Sequence, residues 1–156
     1  MANATYKTPL IDVGEAQQMG LRENMEDRTL AQEFRADPNV PCEALLVVAD
    51  GAGGAEAGEI ASRIAVQTIQ TAVITELKPQ MENGHTVGDF LRETFHKANT
   101  SILQKKAASD KARMATTCLA AILRQNQLTL AHAGDSRAYL IRNQTVNQLT
   151  RDHGDE

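Results

Sequence analysis

The spacing of apolar residues changes character twice along this chain, and that order constrains the fold more than any other feature. Ala44-Leu-Leu-Val-Val-Ala49 is a short continuous apolar run, the pattern of a strand buried on both faces. It stops abruptly at Asp50-Gly-Ala-Gly-Gly54. Helical spacing then takes over. From Glu56 to Leu77, Ile60, Ile64, Thr68 and Ala72 fall on one stripe with Val66, Ile69 and Val73 beside it. A stripe that wide predicts a helix packed on more than one side, stopped by Lys78-Pro79. A second helix is expected over Thr86–Lys105, where Val87, Phe90, Leu91, Phe95, Ala98 and Ile102 repeat at three and four residues. Thr86 with Asp89 resembles a capping box at its start.

Beyond the polar connection Ser109–Met114 the period becomes two. Thr116–Leu123, Leu128–His132 and Arg137–Ile141 read as strands, with Asn126-Gln127 and Asn143-Gln144 as hairpin turns. Before the first helix, strands are expected at Ile11–Met19 and Thr29–Phe34, with a loop over Arg22–Asp27 and a turn at Asp37–Pro41. Strands and helices therefore come in blocks. That order favours an α+β fold with antiparallel sheet over a strictly alternating parallel one.

A single domain over residues 1–156 is expected, since a chain of 156 residues can bury roughly 70% of its unfolded surface. Hydrophobic residues at 42% and charged residues at 23% exclude a disordered chain. The balance of 16 Lys+Arg against 20 Asp+Glu, with no basic run, argues against a nucleic-acid or anionic-membrane surface. Only two Tyr and three Phe are available for base stacking. No apolar run is long enough to span a membrane, and residues 1–10 lack the apolar core of a secretion signal. The expected location is the cytoplasm. Cys42 and Cys118 are too few for a disulfide framework or a zinc site and read as two small buried thiols.

Three polar segments interrupt the apolar pattern where chemistry can be placed. The glycine loop after Ala49 sits between a strand and a helix, as phosphate-binding loops do. It has no Gly-Lys-Ser/Thr, and counting G-x-G-x-x-G from Gly51 places Glu56 at the last glycine. Instead it carries Asp50, Glu56 and Glu59 and no basic residue. Carboxylates repel a phosphate unless a cation intervenes, and hard oxygen ligands suit Mg²⁺ or Mn²⁺. The plain alternative is a tight turn before a solvated acidic helix start. Arg22-Glu-Asn-Met-Glu-Asp27 is the second segment, and by itself it reads as an exposed charged loop. Gly134-Asp-Ser-Arg137 is the third. It reads either as a polar turn or, between apolar strands at Ala131–Gly134 and Ala138–Ile141, as a sheet-end site.

In order and spacing these segments resemble the metal-dependent protein phosphatases (PPM, protein phosphatase type 2C). Gly20-Leu-Arg-Glu-Asn-Met-Glu-Asp27 is similar to the family's first motif. Asp50-Gly-Ala-Gly-Gly54 with Gly58-Glu-Ile-Ala-Ser62 is similar to its Asp-Gly-x-Gly-Gly segment and the Gly-Glu-x-Ala-Ser continuation. Ala115-Thr-Thr117 sits where the family has Gly-Thr-Thr. His132-Ala-Gly-Asp-Ser-Arg-Ala-Tyr-Leu140 and Gln148-Leu-Thr-Arg-Asp-His153 resemble the next two segments.

The resemblance implies an α/β/β/α sandwich of two antiparallel sheets flanked by helices. It implies two Mn²⁺ or Mg²⁺ ions and, in many members, a weaker third. Asp50 would bridge the two ions, Gly51 would lend its carbonyl, and Glu26 and Asp27 would stand beside them. Asp135 would serve the third, and Arg22 would bind substrate phosphate. The implied reaction is hydrolysis of phosphoserine and phosphothreonine on proteins by a metal-activated water, with no covalent intermediate. A serine/threonine kinase or its substrate is the implied partner.

Three departures stand out. Ala115 replaces the usual glycine, and Ala52 stands where many members carry His or Met. The chain also ends at Glu156, before the family's later Asp-Gly and Asp-Asn segments. A C-terminal part of the domain is thus expected to be missing. The competing expectation is a non-catalytic pseudophosphatase or interaction module that keeps the fold. A nucleotide-binding protein is a third reading, and it lacks the phosphate-loop lysine.

Overall fold

The computed structural model describes residues 11–19, 24–34, 37–53, 56–109 and 113–154. Among these residues eight strands and three helices follow in blocks: β1 Arg28–Glu33, β2 Ala44–Ala49, β3 Gly51–Ala52, α1 Glu56–Thr75, α2 Leu77–Glu82 and α3 Val87–Ala107. Then come β4 Ala115–Thr116, β5 Cys118–Arg124, β6 Gln127–Ala133, β7 Tyr139–Arg142 and β8 Thr145–Gln148. The fold is α+β with antiparallel sheets. β1, β2, β5 and β6 form a four-stranded sheet in the order β1-β2-β5-β6, while β3-β4 and β7-β8 form two-stranded ladders.

The sheet is built on β2. Its register sets Leu45 opposite Gln32 and Ile122, and Val47 opposite Leu30 and Ala120. Leu45, Val47, Ala49, Ala120 and Ile122 therefore share one face, all but sealed from solvent. α1 packs there with a stripe of small residues, Ala57, Ala61 and Ala65, continued by Ile69 and Val73. Alanines allow a helix to approach a sheet closely, so the broad apolar stripe serves both the sheet and α3. α3 adds Phe90, Leu91 and Ile102 to the same core. Its start is fixed as its sequence suggests: Thr86 Oγ1 accepts the Asp89 N–H at 3.1 Å, and the Asp89 carboxylate accepts the Thr86 N–H at 3.3 Å.

Several expectations are corrected. β2 is buried on one face only. Leu46 is 37% and Val48 42% exposed, because among the described residues no second sheet of similar size covers that side. The expected α+β arrangement with antiparallel sheets and flanking helices is otherwise as the sequence implies. Segment 11–19 is not a strand. It lies by the outer edge of β1, where a Glu15 carboxylate oxygen accepts the Ala31 N–H at 3.1 Å. Pro79 does not end the helical stretch but sits in the first turn of α2, where a missing N–H costs no intrahelical bond. The first hairpin turn is Gln125-Asn126, both at positive φ, one residue earlier than expected; Asn143-Gln144 is the second. The apolar segment ending β7 is not core: Ile141 is 72% exposed. β8 is a strand that the turn at Asn143-Gln144 implies without naming.

Candidate functional site

Asp50 stands where one ladder gives way to another. The β2–β5 register runs to Val48 opposite Leu119, and the β3–β4 register resumes with Gly51 opposite Thr116. Continuing the count sets Asp50 opposite Thr117, which belongs to neither strand. Thr117 N–H donates to the Asp50 carbonyl at 2.8 Å, as a regular antiparallel pair requires. The return bond is different: Asp50 N–H donates to the Thr117 hydroxyl at 3.0 Å in place of a carbonyl. The Thr116 hydroxyl donates to the same Asp50 carbonyl at 2.9 Å. Both ends of the Asp50 peptide are thus held by the Thr116-Thr117 pair, and the residue itself is exposed.

Gly51 explains why this turn needs glycine. A Cβ there would lie 2.2 Å from the Gly58 carbonyl oxygen and 2.5 Å from that of Glu26. The strand end, the first turn of α1 and the Glu26 backbone meet with no room for a side chain. Ser62, fully buried on α1, donates its hydroxyl to the Glu26 carbonyl at 2.6 Å and fixes that segment from the other side. These contacts bring Glu26, Asp27 and Asp50 to the lining of one cavity of about 220 Å³, together with Gln18, Met19, Asn24 and Met25. Three carboxylates, amide oxygens and main-chain carbonyls are hard donors, the kind that suit Mg²⁺ or Mn²⁺. Among the described residues no three Asp, Glu, His or Cys side chains converge tightly enough to enclose a cation, so the donor set fits in kind and is open in number.

Glu56 and Glu59 do not line this cavity. Glu59 pairs with Arg28 at 3.6 Å, both about two-fifths exposed, and both acids lie in the first turn of α1, where the helix dipole favours them. Arg22 lies outside the described residues. Asp135 does not line this cavity and stands exposed on the β6–β7 connection. Cys42 and Cys118 are buried and free, and burial pushes both thiols up to about 12. Neither can supply a thiolate near neutral pH.

The Asp135 loop has its own tether. Arg137 forks onto Asp152, Nε to Oδ1 at 3.0 Å and Nη2 to Oδ2 at 2.6 Å. These bonds hold the Asp152 carboxyl below its usual range and raise the Arg137 guanidinium further. Gly134 and His153 exchange two bonds: Gly134 N–H to His153 Nδ1 at 3.4 Å, and His153 N–H to the Gly134 carbonyl at 3.1 Å. The His153 ring packs against His132, with centroids 4.6 Å apart. Sequence reasoning assigns no task to Thr117, Ser136, Arg137, Asp152 or His153. The only signal for them is their place inside short motifs, since strand register is needed to see what they hold.

The protein phosphatase 2C family model matches residues 11–155. A serine/threonine phosphatase, stp, of Listeria monocytogenes is 37% identical over 110 residues, covering 70% of this chain and 43% of that protein. The serine/threonine protein phosphatase PstP of Mycobacterium tuberculosis is 32% identical over 130 residues, covering 81% of this chain and 24% of that one. A solved structure of the catalytic domain of PstP in complex with two manganese ions superposes with a TM-score of 0.68 at 30% identity, over 85% of this chain and 51% of that chain. A solved bacterial serine phosphatase gives 0.70 at 29% identity, over 85% of this chain and 51% of the other. The chain thus spans less than half the length of these two curated relatives and about half of the solved chains.

Proposed function

The chain belongs to the protein phosphatase 2C family, and from that premise we propose that it carries one portion of a metal-dependent protein serine/threonine phosphatase domain. The observation that supports this reading best is the meeting of Glu26, Asp27 and Asp50 at one cavity, beside a strand end where Gly51 leaves no space for a side chain. Asp50 and the Gly51 carbonyl would hold Mn²⁺ or Mg²⁺, with Glu26 and Asp27 acting directly or through water. Such ions, when bound, would supply Lewis acidity that lowers the pKa of water and neutralises phosphoryl oxygens. The protein groups do the rest. The carboxylates would accept hydrogen bonds from water and orient it, with the Asp50 main chain held in place by Thr116 and Thr117. Arg22 would grip two oxygens of the substrate phosphate. Asp135 would serve a weaker third ion.

The substrate would be phosphoserine or phosphothreonine on a protein, and the partner the kinase that made it or that kinase's substrate. The relatives named above are serine/threonine phosphatases, which supports that class. No helix among the described residues is long and apolar enough to cross a membrane, in keeping with a cytoplasmic enzyme. The open ligand set favours one competing reading, a module that keeps the fold and binds partners without turnover. Hydrolysis of a phosphothreonine peptide with and without Mn²⁺ separates the two. We expect slow, Mn²⁺-dependent hydrolysis that Asp50→Ala abolishes. Turnover indifferent to Asp50→Ala would overturn the assignment of Asp50, and Mn²⁺ binding without turnover would favour the non-catalytic module.

A further inference from the structure

We infer that Thr117 is a positioning residue, a single side chain that sets the Asp50 peptide and the Asp135 loop in fixed relation to each other. The inference rests on the metal reading of Asp50 for its consequence, but its geometry stands without it. Thr117 uses both branches of its side chain. The hydroxyl accepts the Asp50 N–H at 3.0 Å and lies 2.6 Å from the Ser136 hydroxyl. The methyl fills the space in front of Gly134, where an added Cβ would come within 2.8 Å of Thr117 Cγ2. Gly134 and Ser136 flank Asp135 on either side. One half-buried threonine therefore touches the residues before and after Asp135 and also replaces a ladder carbonyl for Asp50.

The Thr117 hydroxyl can serve both partners at once. A hydroxyl has one proton and two lone-pair sites. Thr117 Oγ1 accepts from the Asp50 amide with one lone pair, and its proton or its second lone pair serves the bond to Ser136 Oγ, so both bonds are made together. A chain of this kind, amide to hydroxyl to hydroxyl, transmits displacement between two segments that are otherwise far apart in sequence. Groups that orient ligand-bearing segments typically affect metal affinity by about 10–100-fold when removed.

The test uses the 156-residue chain and four variants: Thr117→Val, Thr117→Ser, Ser136→Ala and Asp50→Asn. Valine keeps the methyl and the shape but loses the hydroxyl, whereas serine keeps the hydroxyl alone. In metal-free protein, Thr117→Val should speed hydrogen exchange of the Asp50 amide by about tenfold or more, and Thr117→Ser should leave it near wild type. With Mn²⁺ followed by electron paramagnetic resonance, Thr117→Val and Ser136→Ala should weaken binding by about tenfold, with Thr117→Ser within about twofold. Thermal melting identifies any variant that binds weakly only because it has unfolded. Unchanged Asp50 exchange in Thr117→Val overturns the inference at the level of geometry. Full Mn²⁺ affinity in a folded Thr117→Val, when Asp50→Asn has lost it, removes Thr117 from the site and leaves the metal reading intact. Equal affinity in wild type and Asp50→Asn sinks the metal reading itself.

Discussion

Asp50 contributes a charge at a place where three hydrogen bonds with Thr116 and Thr117 hold its main chain. Asp50→Asn keeps the size and the backbone bonds, so a change in Mn²⁺ binding reports the charge alone. We expect affinity to fall by about tenfold or more by calorimetry, with the melting temperature close to wild type. Asp152 differs, because its charge holds a loop in place. The Arg137 fork depresses the Asp152 pKa, and a depressed carboxylate adds stability above its unfolded value, near 3.9, that is lost as pH falls through the folded one. Asp152→Asn should therefore lower the melting temperature at neutral pH, and the gap from wild type should close between about pH 5 and the folded pKa below 3.9. A gap that stays constant over that range would mean the fork adds nothing to stability. Asp50 stands out in sequence because it ends an apolar run, whereas Glu26 and Asp27 lie in a segment that by itself reads as an exposed charged loop and are singled out only by the resemblance to a family motif. The residues that hold them are not legible, because a threonine at a strand start looks like any other strand threonine until its register is known.

The elements form for reasons close to the sequence. α3 has a periodic face and a complete capping box, so its start is set locally. Removing the cap by Thr86→Ala should cost about 1 kcal/mol of stability in denaturant unfolding, while leaving Mn²⁺ binding unchanged. The contact between the end of β2 and the start of α1 is a different matter. Gly51→Ala sets a methyl 2.2 Å from a backbone oxygen that has no rotamer by which to move away. We expect a loss of about 1–3 kcal/mol together with loss of Mn²⁺ affinity, since strand end and helix must part to admit it. A Gly51→Ala chain with wild-type stability would show that the two segments are not pressed together. Helix α3 and strand β2 are legible because length and period agree. The two-residue ladder β3–β4 is not, because Gly51 and Ala52 carry no strand signal of their own and pair only through the Thr116 register. The same continuous apolar run that marks β2 misleads about its surroundings. Leu46 and Val48 are apolar for a neighbour that the described residues do not include.

That open face governs the behaviour of the whole molecule. Side chains on it alternate with those that meet α1. The register aligns Leu46 with Ala31 and Ala121, and Val48 with Thr29 and Leu119. β6 adds Leu130 opposite Ala121 and His132 opposite Leu119. The β7–β8 hairpin presents a second apolar surface, with Ile141 directly opposite Val146 and both largely exposed. A folded core on one side of the sheet and, on the other, exposed Leu46 and Val48 beside the buried Leu119 and Ala121 is a stable but adhesive arrangement. Each leucine or valine side chain removed from water contributes about 1.5–3 kcal/mol, so even a few such contacts between copies outweigh the weak repulsion of a net charge of −4. The chain alone should self-associate at concentrations where a closed domain stays monomeric, and it should bind hydrophobic dyes without being unfolded. Sedimentation of the wild-type chain beside a Leu46→Lys, Val48→Thr variant tests this. Both positions face away from the α1 core, so the variant should keep its melting temperature and shift to monomer. If both proteins sediment as monomers over the same concentration range, the exposed face is not adhesive. If both associate equally, the hairpin surface at Ile141 and Val146 drives association, and Ile141→Thr becomes the variant that should abolish it.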